Sequence, residues 1–384
     1  MPPSLPPEIL DSIVDHLRGD PATLKTCCLV SKSWIHRTRE HLFANVGFFA
    51  TYHRVELWVE AFPDPTNSPA HHTRTLSIHH PHLIKATHAG TISSFCGVVR
   101  LVVNTETWDN ESLTLVSLHG LSPVLRSLQL IFTALPDSEI FGLICSLPLL
   151  EDLKLLSTGN EHRDGRWTTP STSPRLTGSL ELFIASEEIQ PTTRRLLDLP
   201  NGLHFTKLIM AWFSEQDVTL TTDLVSRCSG TVQSLEVTSY FSGTFPSVLY
   251  KNCNSQLRPD VSGMTELDLS EVTQLRDVSF RFTRPNVKWI SKALHTARSG
   301  NLQRISLEPP RHRNLAVGAA AWERVHQEWV ELDQLLVQFW ASHSLRPRVT
   351  YEPGRFGEEM RVYVAGLLPE LTRRGIIDLV QCPP

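Results

Sequence analysis

The sequence predicts an α/β protein: a three-helix unit at the N-terminus, followed by an irregular solenoid of parallel strands with helices between them. Two observations carry this. Apolar residues recur at helical spacing through the first ~43 residues. Beyond them, a six-residue window of alternating apolar positions returns about every 26 residues. The chain is 41% hydrophobic and 20% charged, so it can bury a core and is not of a disordered class.

The helices come first. Pro6 and Pro7 suit the first turn of a helix, where a missing N–H removes nothing. Glu8 in the same turn favours the helix dipole. Ile9, Leu10, Ile13, Val14 and Leu17 then fall on one broad face, and Gly19 stops the helix. Asp20 as N-cap and Pro21 at the first position start a second helix, with Leu24, Cys27, Cys28 and Leu29 as its apolar side. Ser31 caps a third that runs through Trp34 to Phe43. Forty residues bury too little surface to be comfortable alone, so this unit must lean on the rest of the chain, on a partner, or on both.

The order LPPEIL, Ile13-x-x-x-Leu17 and CLVSKSW resembles the F-box, whose pattern is Leu-Pro-x-Glu-Ile/Leu followed about twenty residues later by Val-Ser/Cys-Lys/Arg-x-Trp. The Asp20-Pro21 start of the second helix resembles fungal members of that family. The resemblance covers residues 4–45 and implies an F-box helical domain there. It also implies docking onto the Skp adaptor of a cullin–RING ubiquitin ligase. Matched to the motif, the docking residues would be Leu5, Pro6, Glu8, Ile9, Leu10, Ile13, Leu29, Val30, Ser31 and Trp34.

Residues 46–384 carry the windows. The clearest are LRSLQL (125–130), LEDLKL (150–155), VQSLEV (232–237), LRDVSF (275–280) and LQRISL (302–307). Weaker copies start at Thr73, Val98, Thr177 and Phe205. Successive starts lie 25 to 28 residues apart, except for one gap of 43 that holds a further window, MTELDL (264–269). The fourth and sixth positions share one face of a strand and should point into the core. Helical segments are expected between strands, at 138–150, 221–235 and 287–305. A strand and a helix per period give parallel strands with helices outside. A doubly wound α/β domain would lack this period.

The windows resemble leucine-rich repeats, which recur every ~20 to 29 residues with an L-x-x-L-x-L strand. One feature departs from that family. The turn position that usually holds Asn or Cys is here Pro81, Glu106, Thr133, Thr158, Ala185, Phe213, Tyr240, Thr283 and Pro310. The repeats are therefore read as irregular.

Val46 and Phe48 suggest a first strand, residues 52–62 a helix, and PDPTNSP (63–69) a loop. After the last window, residues 319–343 read as an amphipathic helix, Val349 and Tyr351 as a strand, and 360–380 as a helix with a short strand.

Several chemistries have no support. No nucleophile elbow or phosphate loop occurs, so a hydrolase or other enzyme is not expected. His71-His72 and His79-His80-Pro81-His82 lack the cysteines and repeated spacing of a structural zinc site; they read as solvated loop histidines, and no metal or cofactor is expected. A net charge of −4 gives no bias toward nucleic acid or anionic membranes. Seven scattered cysteines, no apolar span and no signal-like start point to the cytoplasm or nucleus.

The expected function is that of a non-catalytic substrate-recognition subunit, with the helices on the Skp adaptor and the solenoid on a target protein. The alternative is a leucine-rich interaction scaffold whose helices only cap the solenoid. The fifth window positions, Ser77, Val102, Gln129, Lys154, Glu181, Ile209, Glu236, Ser279 and Ser306, would line the target-facing side, with Asp268 from the extra window. Val102 and Ile209 are expected to be covered by neighbours.

Overall fold

Each repeating window becomes a strand that begins two residues after the window starts. These strands are β2 (Thr75–His79), β3 (Arg100–Thr105), β4 (Ser127–Phe132), β5 (Asp152–Ser157), β6 (Ser179–Ile184), β7 (Lys207–Trp212), β8 (Ser234–Ser239), β9 (Asp277–Phe282) and β10 (Arg304–Glu308). They are preceded by β1 (Asn45–Phe48) and followed by β11 (Arg348–Tyr351) and β12 (Asp378–Gln381). The computed structural model describes residues 6–49, 55–79, 88–105, 118–119, 121, 123–132, 137–157, 173–184, 190–212, 215–239, 266–282, 287–297, 300–308, 319–343, 347–351, 362 and 365–381. The chain divides into two units, Met1–Arg175 and Leu176–Pro384.

In the first unit β1 to β5 pair in chain order, every pair parallel. Parallel neighbours need a crossover connection, and among the described residues part of three of the four crossovers is helical: α4 (Val55–Ala61) before β2, α5 (Ala89–Ser93) before β3 and α6 (Asp137–Ser146) before β5. The register sets like window positions side by side. Leu76, Leu101, Leu128 and Leu153 form one continuous row, and Ile78, Val103, Leu130 and Leu155 another. None of these eight is more than 1% exposed. Burying an aliphatic side chain of this size stabilises by about 1.5–3 kcal/mol, so the two rows are the spine of this core.

The second unit repeats the logic. Strands β6 to β12 pair in order and parallel. Leu180, Leu208, Leu235, Val278 and Ile305 make one buried row; Leu182, Met210, Val237, Phe280 and Leu307 make the other. The helices of this unit are α7 (Gln190–Leu197), α8 (Glu215–Arg227), α9 (Lys288–Thr296), α10 (Ala319–His343) and α11 (Pro369–Arg374). Parallel strands in sequence order with helices between them are compatible with a solenoid-like arrangement.

A recurring backbone contact fixes where each strand begins. One carbonyl at the start of a strand accepts two N–H groups from the start of the next. Arg74 O receives Val99 N and Arg100 N at 2.8 and 3.0 Å; Arg126 O receives Glu151 N and Asp152 N at 2.8 and 2.9 Å. Gln233 O and Arg276 O do the same for the two strands that follow them. A carbonyl has two lone pairs, so the arrangement satisfies both donors at a turn that would otherwise orphan one. All nine positions where an Asn or Cys was sought after the strands lie outside the described residues.

Three sequence readings are corrected: the helix expected at 287–305 ends at Thr296, because residues from 304 are already in β10. MTELDL does not form a strand over its described part: residues 266–269 are irregular, although Leu267 and Leu269 are buried. Leu269 N is satisfied by Thr296 Oγ1 at 2.8 Å instead of by a strand neighbour. The helix expected at 221–235 occupies 215–227, because residues from 234 are already in β8. Its apolar tail belongs to the strand period, which won over the helical one.

Two helices in the second unit begin on carboxylates supplied by α10. Glu328 Oε2 accepts from Val287 N and Lys288 N at 3.1 and 3.3 Å, at the start of α9. Asp333 accepts from Glu370 N and Leu371 N at 2.7 and 3.1 Å, at the start of α11. Neither helix is capped by its own N-cap side chain. Burial raises both carboxyl pKa values, while the N–H bonds oppose the shift. Asp333 is 2% exposed, so Asp333→Ala should leave two donors without partners and cost about 1–3 kcal/mol. Urea unfolding should show the midpoint falling with little change in slope.

Candidate partner-binding face

The helical unit is built as its residue pattern requires. In α1 (Pro7–His16) a proline stands at the first position and Glu8 lies in the first turn. In α2 (Pro21–Val30) Asp20 is the N-cap: its Oδ1 accepts from Ala22 N and Thr23 N, both at 3.1 Å. In α3 (Lys32–Leu42) Ser31 is the N-cap, accepting from Ser33 N at 3.3 Å. Each cap satisfies donors that a helix start leaves open.

The three helices meet on a small apolar centre of Val14, Leu24 and Cys27, with Thr38 fully enclosed. Polar bonds tie α1 to α3. Arg37 Nε and Nη2 donate to the two carboxylate oxygens of Asp15 at 2.6 and 2.8 Å, and His41 Nε2 lies 2.7 Å from Oδ1. Arg37 Nη1 also donates to Glu40 at 2.6 Å. The Arg37 and His41 hydrogen bonds hold the Asp15 carboxyl well below the usual carboxylate range.

The unit rests on the strands through other residues. Phe43, at the end of α3, meets Trp58 and Phe62 edge-on at 5.8 and 5.9 Å. Trp58 in turn packs against Phe48 of β1 and against Phe95. Alongside, α3 lies against a 3-10 turn, Pro69–His72, where the His36 and His72 rings touch. At that turn's other contact, Gly97 lets the segment before β3 approach closely: a Cβ there would stand 2.6 Å from the carbonyl oxygen of His71.

This seating leaves four large aliphatic side chains of α1 and α2 uncovered. Ile9 is 49% exposed, Ile13 41%, Leu29 87% and Val30 64%. Ile9 and Ile13 are one turn apart on α1, and Leu29 and Val30 end α2. Of the other motif residues, Pro6 and Glu8 are exposed, and Leu10, Ser31 and Trp34 are half-buried. Leu5 lies outside the described residues. Scattered exposed aliphatics need no explanation, but four large ones within residues 9–30 of a small three-helix unit do.

Elsewhere the described residues offer less. The fifth positions of the nine repeating windows, Val102 and Ile209 among them, are half-buried, and Asp268 of the extra window is exposed. Ser77, Val102, Gln129 and Lys154 stand in one row in the first unit. Glu181, Ile209, Glu236, Ser279 and Ser306 stand in another in the second. Arg281 reaches across the second row, pairing with Glu308 at 2.5 Å and approaching Glu236 at 3.9 Å. A pocket lined by Leu182, Thr193, Met210, Asp217 and Thr221 holds about 20 Å³, room for one water. Burial pushes the thiols of Cys145 and Cys228 up to about 11, so both are protonated at neutral pH. Among the described residues no helix is long and apolar enough to cross a membrane.

His119, beside Gly142 of α6, is held below the ordinary imidazole value by burial. The fold therefore favours its neutral ring. As pH falls through about 6.5 the unfolded chain takes up the proton first, so stability drops below that pH. A melting curve measured from pH 7.5 to 5 should show the fall, and His119→Phe should shrink it.

No family model matches the chain, and comparison with curated proteins found no relative.

Proposed function

We propose that the chain is a substrate-recognition subunit of a Skp–cullin–F-box ubiquitin ligase, with α1 to α3 docking the Skp adaptor and the leucine-rich-repeat-like solenoid holding a target protein. The single observation that carries this reading is the exposure of Ile9, Ile13, Leu29 and Val30 on helices whose sequence resembles the F-box. A cap that served only to close the solenoid would turn its large aliphatics inward. Here the inward contacts are made by Phe43 and by α3, and Ile9, Ile13, Leu29 and Val30 are left over.

The mechanism needs no catalytic side chain. A bound target is brought near a ubiquitin-charged enzyme, which raises the effective concentration of its lysines at the reacting centre. The half-buried fifth-position rows offer mixed polar surface for that target. On this reading the chain works in the cytoplasm or nucleus, where the ligase operates.

Co-expression with a Skp adaptor tests the proposal. The two chains should elute together from a sizing column. A chain that is folded, soluble and elutes alone would favour the interaction-scaffold reading instead.

A further inference from the structure

His36 and Glu40 lie one turn apart on α3, and His72 faces them from the 3-10 turn. The Nε2 of His36 is 3.4 Å from Oε1 of Glu40. The rings of His36 and His72 meet edge-on, with centroids 5.1 Å apart. One nitrogen or oxygen from each of the three residues lies within 4.8 Å of the others. His72 is only 8% exposed, and its ring lies against those of His36 and His71. The ring is aimed at a second imidazole and a carboxylate.

We propose that His36, Glu40 and His72 bind one divalent transition-metal ion, zinc(II) by preference. Two imidazoles and one carboxylate suit zinc, whereas magnesium and calcium require mainly oxygen donors. Around a tetrahedral ion with bonds of ~2.0–2.1 Å, neighbouring ligand atoms stand about 3.4 Å apart. The His36–Glu40 pair is already at that separation, at 3.4 Å. The His36 side chain is 76% exposed, so it can turn to close the remaining distance without disturbing the core. Three protein ligands leave the fourth position for water. The ion ties α3 to the turn that leads into β2, and so clamps the helical unit onto the first strands.

This site departs from the sequence reading, which expected no metal and took His71-His72 as solvated. His72 is buried, and its companions stand more than thirty residues earlier on another element. No short spacing could have revealed them. The proposal is independent of adaptor binding.

The test is a zinc titration of the full chain after chelator treatment and dialysis, read against a chromophoric chelator. One ion per chain should compete with the chelator and raise the melting temperature. His36→Ala, at an exposed position, and Glu40→Gln, whose other carboxylate oxygen accepts from Arg37, should each weaken binding by about tenfold or more and abolish the thermal shift. Because His72 is buried, His72→Ala is a poor first variant; His36→Ala carries the test. Cobalt(II) in place of zinc should show no thiolate charge-transfer absorption. If no zinc is held, or if His36→Ala holds as much as the unaltered chain, the metal is an adventitious ion only and the proposal is overturned.

Discussion

Phe280→Ala should lower stability by about 3–5 kcal/mol, a large share of the roughly 5–15 kcal/mol that holds a domain folded. Phe280 is fully buried in β9. It stands in the inner row between Val237 and Leu307 and meets the Trp289 ring edge-on at 5.3 Å. Trp289 also packs on Trp212, 4.9 Å away, whose indole N–H donates to Thr221 at 2.8 Å. Removing the phenyl ring leaves a cavity beneath two tryptophans that are themselves held by neighbours, so little collapse can fill it. The urea midpoint should fall steeply, with tryptophan fluorescence following the same transition. Phe280→Leu, which retains most of the volume, should lose markedly less.

Ile9→Asp combined with Leu29→Asp should weaken adaptor binding at least about 100-fold, since truncating central apolar residues of an interface costs ~2 kcal/mol or more each. The same pair should leave folding nearly unchanged, within about ±0.5 kcal/mol for each exposed position. Ile9 is 49% exposed and Leu29 87%, so neither charge would be forced into the core. Calorimetric titration beside a urea melt separates the two effects. A comparable loss of stability would mean that these side chains are covered in solution. Unchanged affinity with intact folding would place the adaptor contact elsewhere.

The strands were legible because period-two alternation and a repeat of about 26 residues reinforce each other. A window such as LQRISL has no alternative once its neighbours fix the register, and its Ile305 and Leu307 fall in the inner rows. MTELDL shows the limit. It has the same Leu-x-Leu spacing, yet Leu267 and Leu269 are buried without their backbone joining a ladder. Alternation reports burial on one side, not pairing.

The helical unit divides in the same way. Its caps, Asp20 and Ser31, are local and were readable. The apolar residues of α1 and α2 were readable as a class, but not which of them stay uncovered. Val14 and Leu24 are buried while Ile13 and Leu29 are exposed, although all four are aliphatic. That choice is made by α3, against which both α1 and α2 pack. The caps that Asp333 and Glu328 lend to distant helices were hidden for the same reason. Each depends on a contact some forty residues away, and no local pattern encodes it.

The most direct test of the docking reading is hydrogen–deuterium exchange on the full chain, with and without a Skp adaptor. Amides of residues 7–16 and 21–34 should exchange more slowly in the mixture, while those of β2 to β10 stay as they are in the free chain. Protection confined to the strands, or no protection at all, would contradict the account.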